Sequence, residues 1–108
     1  MIVEVFRIKV LQYITMYHLY ILKCIDGTLY TGITTDLKRR VLEHNGKTLG
    51  AKYTSSRQPV KLVYSKKLKD RSTASKEEAR IKNLKRSDKM KLITASLKSV
   101  HIKSDKKI

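Results

Sequence analysis

The chain of 108 residues is poor in acidic residues, has a single cysteine and contains no long apolar run. Nine Asp and Glu stand against 25 Lys and Arg, which leaves a formal net charge of +16. Because such an excess opposes compaction and attracts polyanions, it favours DNA, RNA or an anionic membrane surface as the partner. No apolar run approaches the roughly 20 residues that span a bilayer, so we expect no membrane insertion.

The lone cysteine, Cys24, excludes an internal disulfide, and a cytoplasmic location is therefore expected. The chain length predicts one domain with a modest core. Residues 1–15 are mostly apolar but lack the charge and small-residue pattern of a signal peptide. We expect Met16 to be the natural start and 1–15 an extension, with an extra edge strand or helix as the alternative. The domain then covers 16–97, and 98–108 form a basic tail.

Two predicted strands open the domain. Tyr17–Cys24 and Leu29–Thr34 are rich in Tyr, Leu, Ile and Thr, and an Asp-Gly turn signal lies between them. They therefore predict an antiparallel hairpin. If the register allows it, Tyr20 and Tyr30 lie at neighbouring positions on one face of that hairpin.

A basic helix is predicted next. Thr35 or Asp36 can cap it, and it runs to about His44. Arg40 and His44 are four residues apart, which places them side by side on the helix surface. Beyond the helix we predict a basic loop and then a third strand, a helix and a final helix ending near Leu97, in the order 46–59, 60–68, 73–85 and 87–97.

The residue types in these segments suit phosphodiester hydrolysis. That reaction needs a nucleophilic water, neutralisation of phosphate charge and help for the leaving oxygen. Arginine holds a phosphate through bidentate bonds, and a carboxylate can hold Mg²⁺. A tyrosine or histidine can accept the proton of the water. The candidates for these roles are Tyr20, Tyr30, Arg40, His44 and the glutamate pair at 77–78.

Several segments, in order, resemble the GIY-YIG nuclease superfamily, and the resemblance covers about Tyr17 to Ile93. The two-part signature and the arginine helix correspond to Tyr17–Leu22, Leu29–Thr34 and Asp36–Asn45. Further segments resemble its small stand-alone bacterial branch, the YhbQ/YazA-like proteins: Gly50–Thr54, Arg57–Val60 and Asp70–Ser72.

The resemblance implies an α+β fold, in which a small three-stranded antiparallel sheet is flanked by helices, and it implies metal-dependent cleavage of nucleic acid. Tyr20 and Tyr30 match the tyrosines of the two motifs, and Arg40 matches the phosphate-binding arginine. His44 lies one turn on, where the family often has His or Tyr. Glu78 matches the glutamate that binds the metal, which we expect to be Mg²⁺ or Mn²⁺.

The chain departs from the family pattern in both motifs. His18 takes the place of the opening glycine, and Thr31 takes the place of an isoleucine. Both tyrosines and Gly32 are kept, so the catalytic interpretation stands. No added DNA-binding domain is present in the sequence, and strong sequence preference is therefore not expected.

Two assignments stay open at this level. Either Tyr20 or Tyr30 could be the general base. Glu77 and Glu78 both border the apolar stripe of their helix, and periodicity does not choose between them, whereas the resemblance selects Glu78. A carboxylate beside an apolar stripe is costly unless it is paired or metal-bound.

The basic loop supplies the predicted nucleic-acid contacts: Lys47, Lys52, Tyr53 and Arg57. Tyr53 could stack on a base or fill a gap. The leading hypothesis is a monomeric endonuclease for DNA rather than RNA, acting on structured or single-stranded substrate without a small-molecule cofactor. The alternatives are a non-catalytic module that binds DNA or RNA, and a polyanion-binding interaction protein.

Overall fold

A computed structural model describes residues 16–106 of the chain, and the expected extension over 1–15 lies outside the described residues. Within this range the elements follow in the order β1 (Tyr17–Lys23), β2 (Leu29–Thr34), α1 (Leu37–His44), α2 (Lys52–Ser55), β3 (Lys61–Leu68), α3 (Arg71–Lys82) and α4 (Arg86–Lys106). None of the helices in this part of the chain has the apolar length that a membrane crossing requires.

The three strands form an antiparallel sheet with the order β2-β1-β3. A tight turn joins β1 to β2. Gly27 adopts a φ of 83°, a left-handed conformation that glycine tolerates. The side chain of Asp26 accepts a hydrogen bond from the backbone N–H of Thr28 at 3.1 Å. The sequence prediction of a hairpin at this position is therefore confirmed.

The register of the hairpin places the two motif tyrosines on the same face. Tyr20 is opposite Gly32, and Tyr30 is opposite Leu22. Residues two apart on a strand share a face. Tyr30 and Gly32 therefore lie on one face, and Tyr20 lies on that face too.

The opposite face of the sheet carries the larger part of the core. Leu19 and Ile21 of β1 are fully buried there and form one cluster with Ile81 of α3 and Ile93 of α4. Burial of each such side chain stabilises the fold by roughly 1.5–3 kcal/mol. Helices α3 and α4 thus cover this face.

Helix α1 covers the face that carries the tyrosines. Leu37 and Val41 pack against a cluster that contains Tyr20 and Leu22. The side chain of Asp36 accepts a hydrogen bond from the backbone N–H of Arg39 at 3.1 Å and so caps the helix. Helices on both faces of a three-stranded antiparallel sheet make the α+β architecture that the sequence predicted.

Three predictions along the chain were wrong. The helix predicted over 73–85 covers Arg71–Lys82. The segment over 46–59 contains the short helix α2, because the carbonyl of Ala51 accepts hydrogen bonds from the backbone N–H groups of Thr54 and Ser55 at 3.1 and 3.2 Å. Helix α4 continues beyond Leu97 to Lys106. Because the sequence has no apolar periodicity after Leu97, it predicted that the helix ends there. The helix nevertheless continues, because lysine is a good helix former even where no apolar periodicity is present.

Candidate active site

The centre of the candidate site is the phenol of Tyr20, which is only 1% exposed. Gly32 makes room for it. A methyl group built on Gly32 would lie 2.5 Å from the Tyr20 hydroxyl oxygen and 2.7 Å from ring carbon Cζ. Both distances are far inside van der Waals contact, so the tyrosine ring occupies the space that a side chain at Gly32 would fill.

His44 holds the hydroxyl of Tyr20. The Tyr20 oxygen and His44 Nε2 are 2.9 Å apart, and His44 is completely buried at the end of α1. Burial is the main cause that lowers the pKa of His44 to about 4, and the nearby Arg40 charge adds to it. Burial likewise raises the pKa of Tyr20, although Arg40 opposes part of that shift. Both side chains are therefore neutral at pH 7.

A residue that the sequence analysis missed, Thr54, lies behind His44. The Thr54 hydroxyl is 2.8 Å from His44 Nδ1, and it donates to the carbonyl oxygen of Ala51 at 3.0 Å. Thr54 is fully buried in α2. In the sequence, Thr54 ends the family-like segment Gly50–Thr54 and lies beside Tyr53 in a predicted loop, but neither signal reveals a contact with a residue ten positions earlier.

Arg40 is anchored beside the Tyr20–His44 pair. Its Nη1 donates to Oε1 of Glu43 at 2.8 Å and to the carbonyl oxygen of Leu49 at 2.9 Å. Both of these bonds use the same nitrogen, and the side chain is 26% exposed. A guanidinium has five N–H donors in a planar fork, so the anchoring of one nitrogen orients the group for a further anion.

Tyr30 completes an aromatic cluster. Its ring centroid is 6.4 Å from that of Tyr20 and 5.0 Å from that of His44. The predicted meeting of the two tyrosines is thus present, and the helix residue His44 joins them. Four of the predicted site residues therefore converge on one face of the sheet: Tyr20, Tyr30, Arg40 and His44.

The cluster extends outward through Tyr53 and Arg57. The Tyr53 ring stacks on Tyr30 with centroids 5.9 Å apart, and the Arg57 guanidinium lies 4.1 Å from the Tyr53 centroid. Arg57 also forms a 3.0 Å ion pair with Asp26 of the hairpin turn. Tyr53 remains 39% exposed. It fills the gap between Tyr30 and Arg57 and still presents an edge to solvent.

Lys47 and Lys52 lie on the surface of the same segment, and both are exposed. Within the described part of the chain, neither ammonium group forms an ion pair or a cation–π contact with the aromatic cluster. Their ammonium groups add positive charge around the site without fixing its geometry.

The two glutamates of α3 differ in their surroundings. Glu77 forms ion pairs with Lys66 of β3 at 3.0 Å and with Arg80 at 2.7 Å. Those hydrogen bonds, with Arg80 the larger cause, lower the pKa of Glu77 to about 2. Glu78 is 3.5 Å from Lys82, its side chain is 25% exposed, and its charge acts on Tyr20. Glu77 is held by two short ion pairs, one to β3 and one within α3, whereas the ion pair of Glu78 with Lys82 is longer.

Among the side chains that the structure describes, those of residues 16–97, no group of three or more His, Cys, Asp or Glu could enclose a metal ion. A closed site of the structural zinc kind is therefore not formed by these residues. Mg²⁺ has a different requirement, since it keeps several waters and binds through one or two carboxylates plus substrate phosphate. The partly exposed carboxylate of Glu78 fits that requirement.

Comparison with known proteins gives the family. The GIY-YIG catalytic domain matches residues 16–92. A UPF0213 protein of Desulfotalea psychrophila is 56% identical over 79 residues, which are 73% of this chain and 72% of that protein. A UPF0213 protein of Halobacterium salinarum is 50% identical over 74 residues, which are 68% and 95% of the two chains.

A solved structure is similar over the same region. The solution NMR structure of the protein EF2693 from E. faecalis has 40% sequence identity and a TM-score of 0.51, and the match covers 81% of this chain and 88% of that one. The matched domain spans the strands and helices that surround Tyr20 and His44. A nuclease-type site is what this domain implies, and the chain belongs to the GIY-YIG family, among its UPF0213 proteins.

Proposed function

We propose that the protein is a divalent-metal-dependent endonuclease that hydrolyses phosphodiester bonds in DNA, structured or single-stranded, with little sequence specificity. The observation that carries the proposal is the buried 2.9 Å contact between Tyr20 and His44 beside an anchored arginine. A neutral imidazole that accepts from a phenol and a guanidinium with free donor capacity together supply a base and an anion site.

The general base in this proposal is Tyr20, coupled to His44. In this proposal the Tyr20 proton goes to His44, Arg40 donates to one lone pair of the phenol oxygen, and the other lone pair accepts from a water. Tyr30, half-buried and in ring contact with His44, borders the same site and orients the water. The choice of Tyr20 as base rests on its hydrogen bond to the buried imidazole.

The hydrolysis consumes one water molecule, and every proton in it has a donor and an acceptor. As the water attacks phosphorus, its proton passes to the Tyr20 oxygen while the phenol proton passes to His44 Nε2. A new phosphorus–oxygen bond forms, and the bond to the leaving oxygen breaks with its electron pair. The leaving oxygen takes a proton from solvent, and His44, whose pKa is about 4, returns its own proton to solvent. The products are a phosphate monoester and a hydroxyl.

Arg40 and Glu78 serve to neutralise the negative charge of the phosphate, Arg40 directly and Glu78 through the cation. Arg40 donates to the non-bridging phosphate oxygens through the part of its fork that Glu43 and Leu49 leave available. Glu78 would hold the cation, and a bound Mg²⁺ or Mn²⁺ would supply Lewis-acid neutralisation of the phosphate. Glu77 is not offered this role, because its two ion pairs would have to break first.

The basic surface supports nucleic acid as the substrate. A net charge of +16 gives a large sequence-independent attraction to a phosphate backbone. Lys47 and Lys52 are exposed, and Arg57 and Tyr53 lie beside the aromatic cluster. We expect Lys52→Ala to weaken binding alike for all sequences and to reduce the slope of log affinity against log salt by about 1.

The deciding experiment is cleavage of supercoiled, single-stranded and branched DNA with Mg²⁺ or Mn²⁺. Two neighbouring pairs give matched controls: Arg40→Ala against Arg39→Ala, and Glu78→Gln against Glu77→Gln. The proposal expects cleavage that EDTA abolishes, that Arg40→Ala and Glu78→Gln remove, and that the two control variants keep.

Two results would contradict it. Metal-dependent cleavage that survives Arg40→Ala would refute the site. Salt-sensitive binding without any turnover, unchanged by Glu78→Gln, would identify a module that binds nucleic acid and does not cut it.

A further inference from the structure

Three buried groups form a directed line of hydrogen bonds behind the candidate base. The line runs from the Tyr20 hydroxyl to His44 Nε2 at 2.9 Å, from His44 Nδ1 to the Thr54 hydroxyl at 2.8 Å, and from Thr54 to the Ala51 carbonyl at 3.0 Å. Tyr20 is 1% exposed, and His44 and Thr54 are fully buried. Because His44 and Thr54 are fully buried, water cannot replace their partners in this line.

The Tyr20 end of the line sets the direction of the protons. A buried phenol proton needs an acceptor, since an unpaired buried donor costs roughly 1–3 kcal/mol. Arg40 also lies beside the phenol, but a guanidinium only donates. The acceptor is therefore His44 Nε2. A neutral imidazole that accepts at Nε2 carries its proton on Nδ1, and that proton goes to the Thr54 oxygen.

A competing donor makes Thr54 consequential. The backbone N–H of Ala51 faces His44 Nδ1 at 3.5 Å, a contact that only an unprotonated Nδ1 could accept. The 2.8 Å contact with Thr54 is much shorter, and the Thr54 hydroxyl can accept because it donates its own proton to the Ala51 carbonyl. Without the Thr54 oxygen, Ala51 would be left to favour the opposite tautomer, with the proton on Nε2.

We propose that Thr54 is a positioning residue that holds His44 in the tautomer protonated on Nδ1, so that Nε2 accepts the proton of Tyr20. Thr54 touches neither the water nor the phosphate in this scheme and acts through His44. The catalytic consequence rests on the proposed nuclease function, whereas the tautomer does not. Loss of the hydroxyl would turn Nε2 into a donor and leave the Tyr20 proton without its acceptor.

The first test is the tautomer of His44 in the wild-type protein, read by long-range ¹H–¹⁵N NMR on uniformly labelled full-length chain and assigned by comparison with His44→Gln. The proposal expects a protonated, pyrrole-type Nδ1 and a pyridine-type Nε2. A protonated Nε2 in the wild-type protein would overturn it.

The second test removes the hydroxyl while keeping the shape of the side chain. Thr54→Val is expected to shift His44 towards protonation on Nε2 and to lower the single-turnover cleavage rate on the order of 10- to 100-fold, by analogy with the hydrogen-bond partners that orient metal-ligating histidines, with KM nearly unchanged. Thr54→Ser keeps a hydroxyl and should keep both properties. Ser55→Ala removes a hydroxyl of the same helix that bonds only to the exposed Lys52 carbonyl, and it is the matched control.

The outcomes separate this inference from the proposed function. A folded Thr54→Val that keeps the Nδ1–H tautomer refutes the positioning role. If no variant or wild type cleaves DNA but Thr54→Val flips the tautomer, the positioning role stands and the nuclease assignment fails. Rescue of the tautomer and of the rate by Ser but not by Val supports both.

Discussion

Gly32→Ala tests whether the tyrosine ring really occupies the space above the glycine. The new methyl group would lie 2.5 Å from the Tyr20 hydroxyl oxygen, 2.7 Å from Cζ and 3.2 Å from Cε1. These atoms are the far end of a side chain, but the ring is buried and bonded to His44, so it cannot swing away cheaply. We expect a loss of roughly 1–3 kcal/mol in the free energy of unfolding, the usual cost of overpacking.

The same substitution in variants of Tyr20 tests whether the tyrosine ring causes the loss of stability. In a Tyr20→Ala background the three close atoms are gone, and replacement of a strand glycine by alanine should then stabilise by roughly 0.5–1 kcal/mol. In a Tyr20→Phe background the atom at 2.5 Å is gone while the ring carbon at 2.7 Å remains, so the penalty should lie between the two. The coupling between the two sites is therefore at least about 1.5 kcal/mol.

Urea unfolding of the single and double variants measures these energies, and cleavage assays of Gly32→Ala should show lost activity, because the displaced phenol loses His44. Gly27→Ala serves as the control, since a methyl group there meets no atom within 4 Å and only the positive φ is strained. An equal cost for Gly32→Ala in the wild-type and Tyr20→Ala backgrounds would refute the packing argument.

Three further predictions concern stability. The pKa of His44 is about 4 in the folded protein and about 6.5 in the unfolded chain, so the unfolded chain binds more protons between these two pH values. The free energy of unfolding should therefore be unaffected by His44 above this window and fall by up to about 3 kcal/mol as the pH drops through it. Urea unfolding at several pH values should show a shallower fall for His44→Gln. The pKa of the Glu77 carboxylate is lowered to about 2, so this group contributes stability above pH 4.5 that is lost as the pH falls towards 2. In chemical denaturation, Glu77→Gln should cost about 1 kcal/mol at neutral pH. The same variant should no longer lose this stability between pH 4.5 and 2. The Asn45 side-chain amide accepts a hydrogen bond from the Val60 N–H at 2.7 Å and donates one to the Val60 carbonyl at 3.1 Å. Asn45→Ala should therefore lower the stability measured in thermal melts by roughly 1–3 kcal/mol. An unchanged melting temperature would show that the two bonds contribute nothing.

Local signals explain why much of the fold could be predicted. The Asp-Gly turn fixes the hairpin, and the register then follows from the alternation of buried side chains. Thr35 or Asp36 was expected to cap α1, and it is the side chain of Asp36 that does so. The pairing of Arg40 with His44 on α1 follows from helical spacing alone.

The parts that could not be predicted depend on contacts between distant segments. The short helix α2 has four residues and no amphipathic period, so it resembles a loop in the sequence, yet it delivers Thr54 to His44. The choice between Glu77 and Glu78 was beyond periodicity because both border the same stripe. The fold distinguishes the surroundings of the two glutamates, because β3 brings Lys66 within 3.0 Å of Glu77.

The central position of β1 has a consequence for the order of assembly. Its partner β2 follows across a tight turn, and the Tyr20–His44 contact spans 24 positions, whereas the pairing of Tyr20 with Ser65 of β3 closes a longer loop. Each doubling of loop length adds roughly 0.6 kcal/mol of closure entropy, so the short-range contacts come at the smaller entropic cost. We therefore expect the hairpin and α1 to form the folding nucleus and β3 to dock afterwards. Mutations around Tyr20 and His44 should then slow folding, and mutations in β3 should mainly speed unfolding.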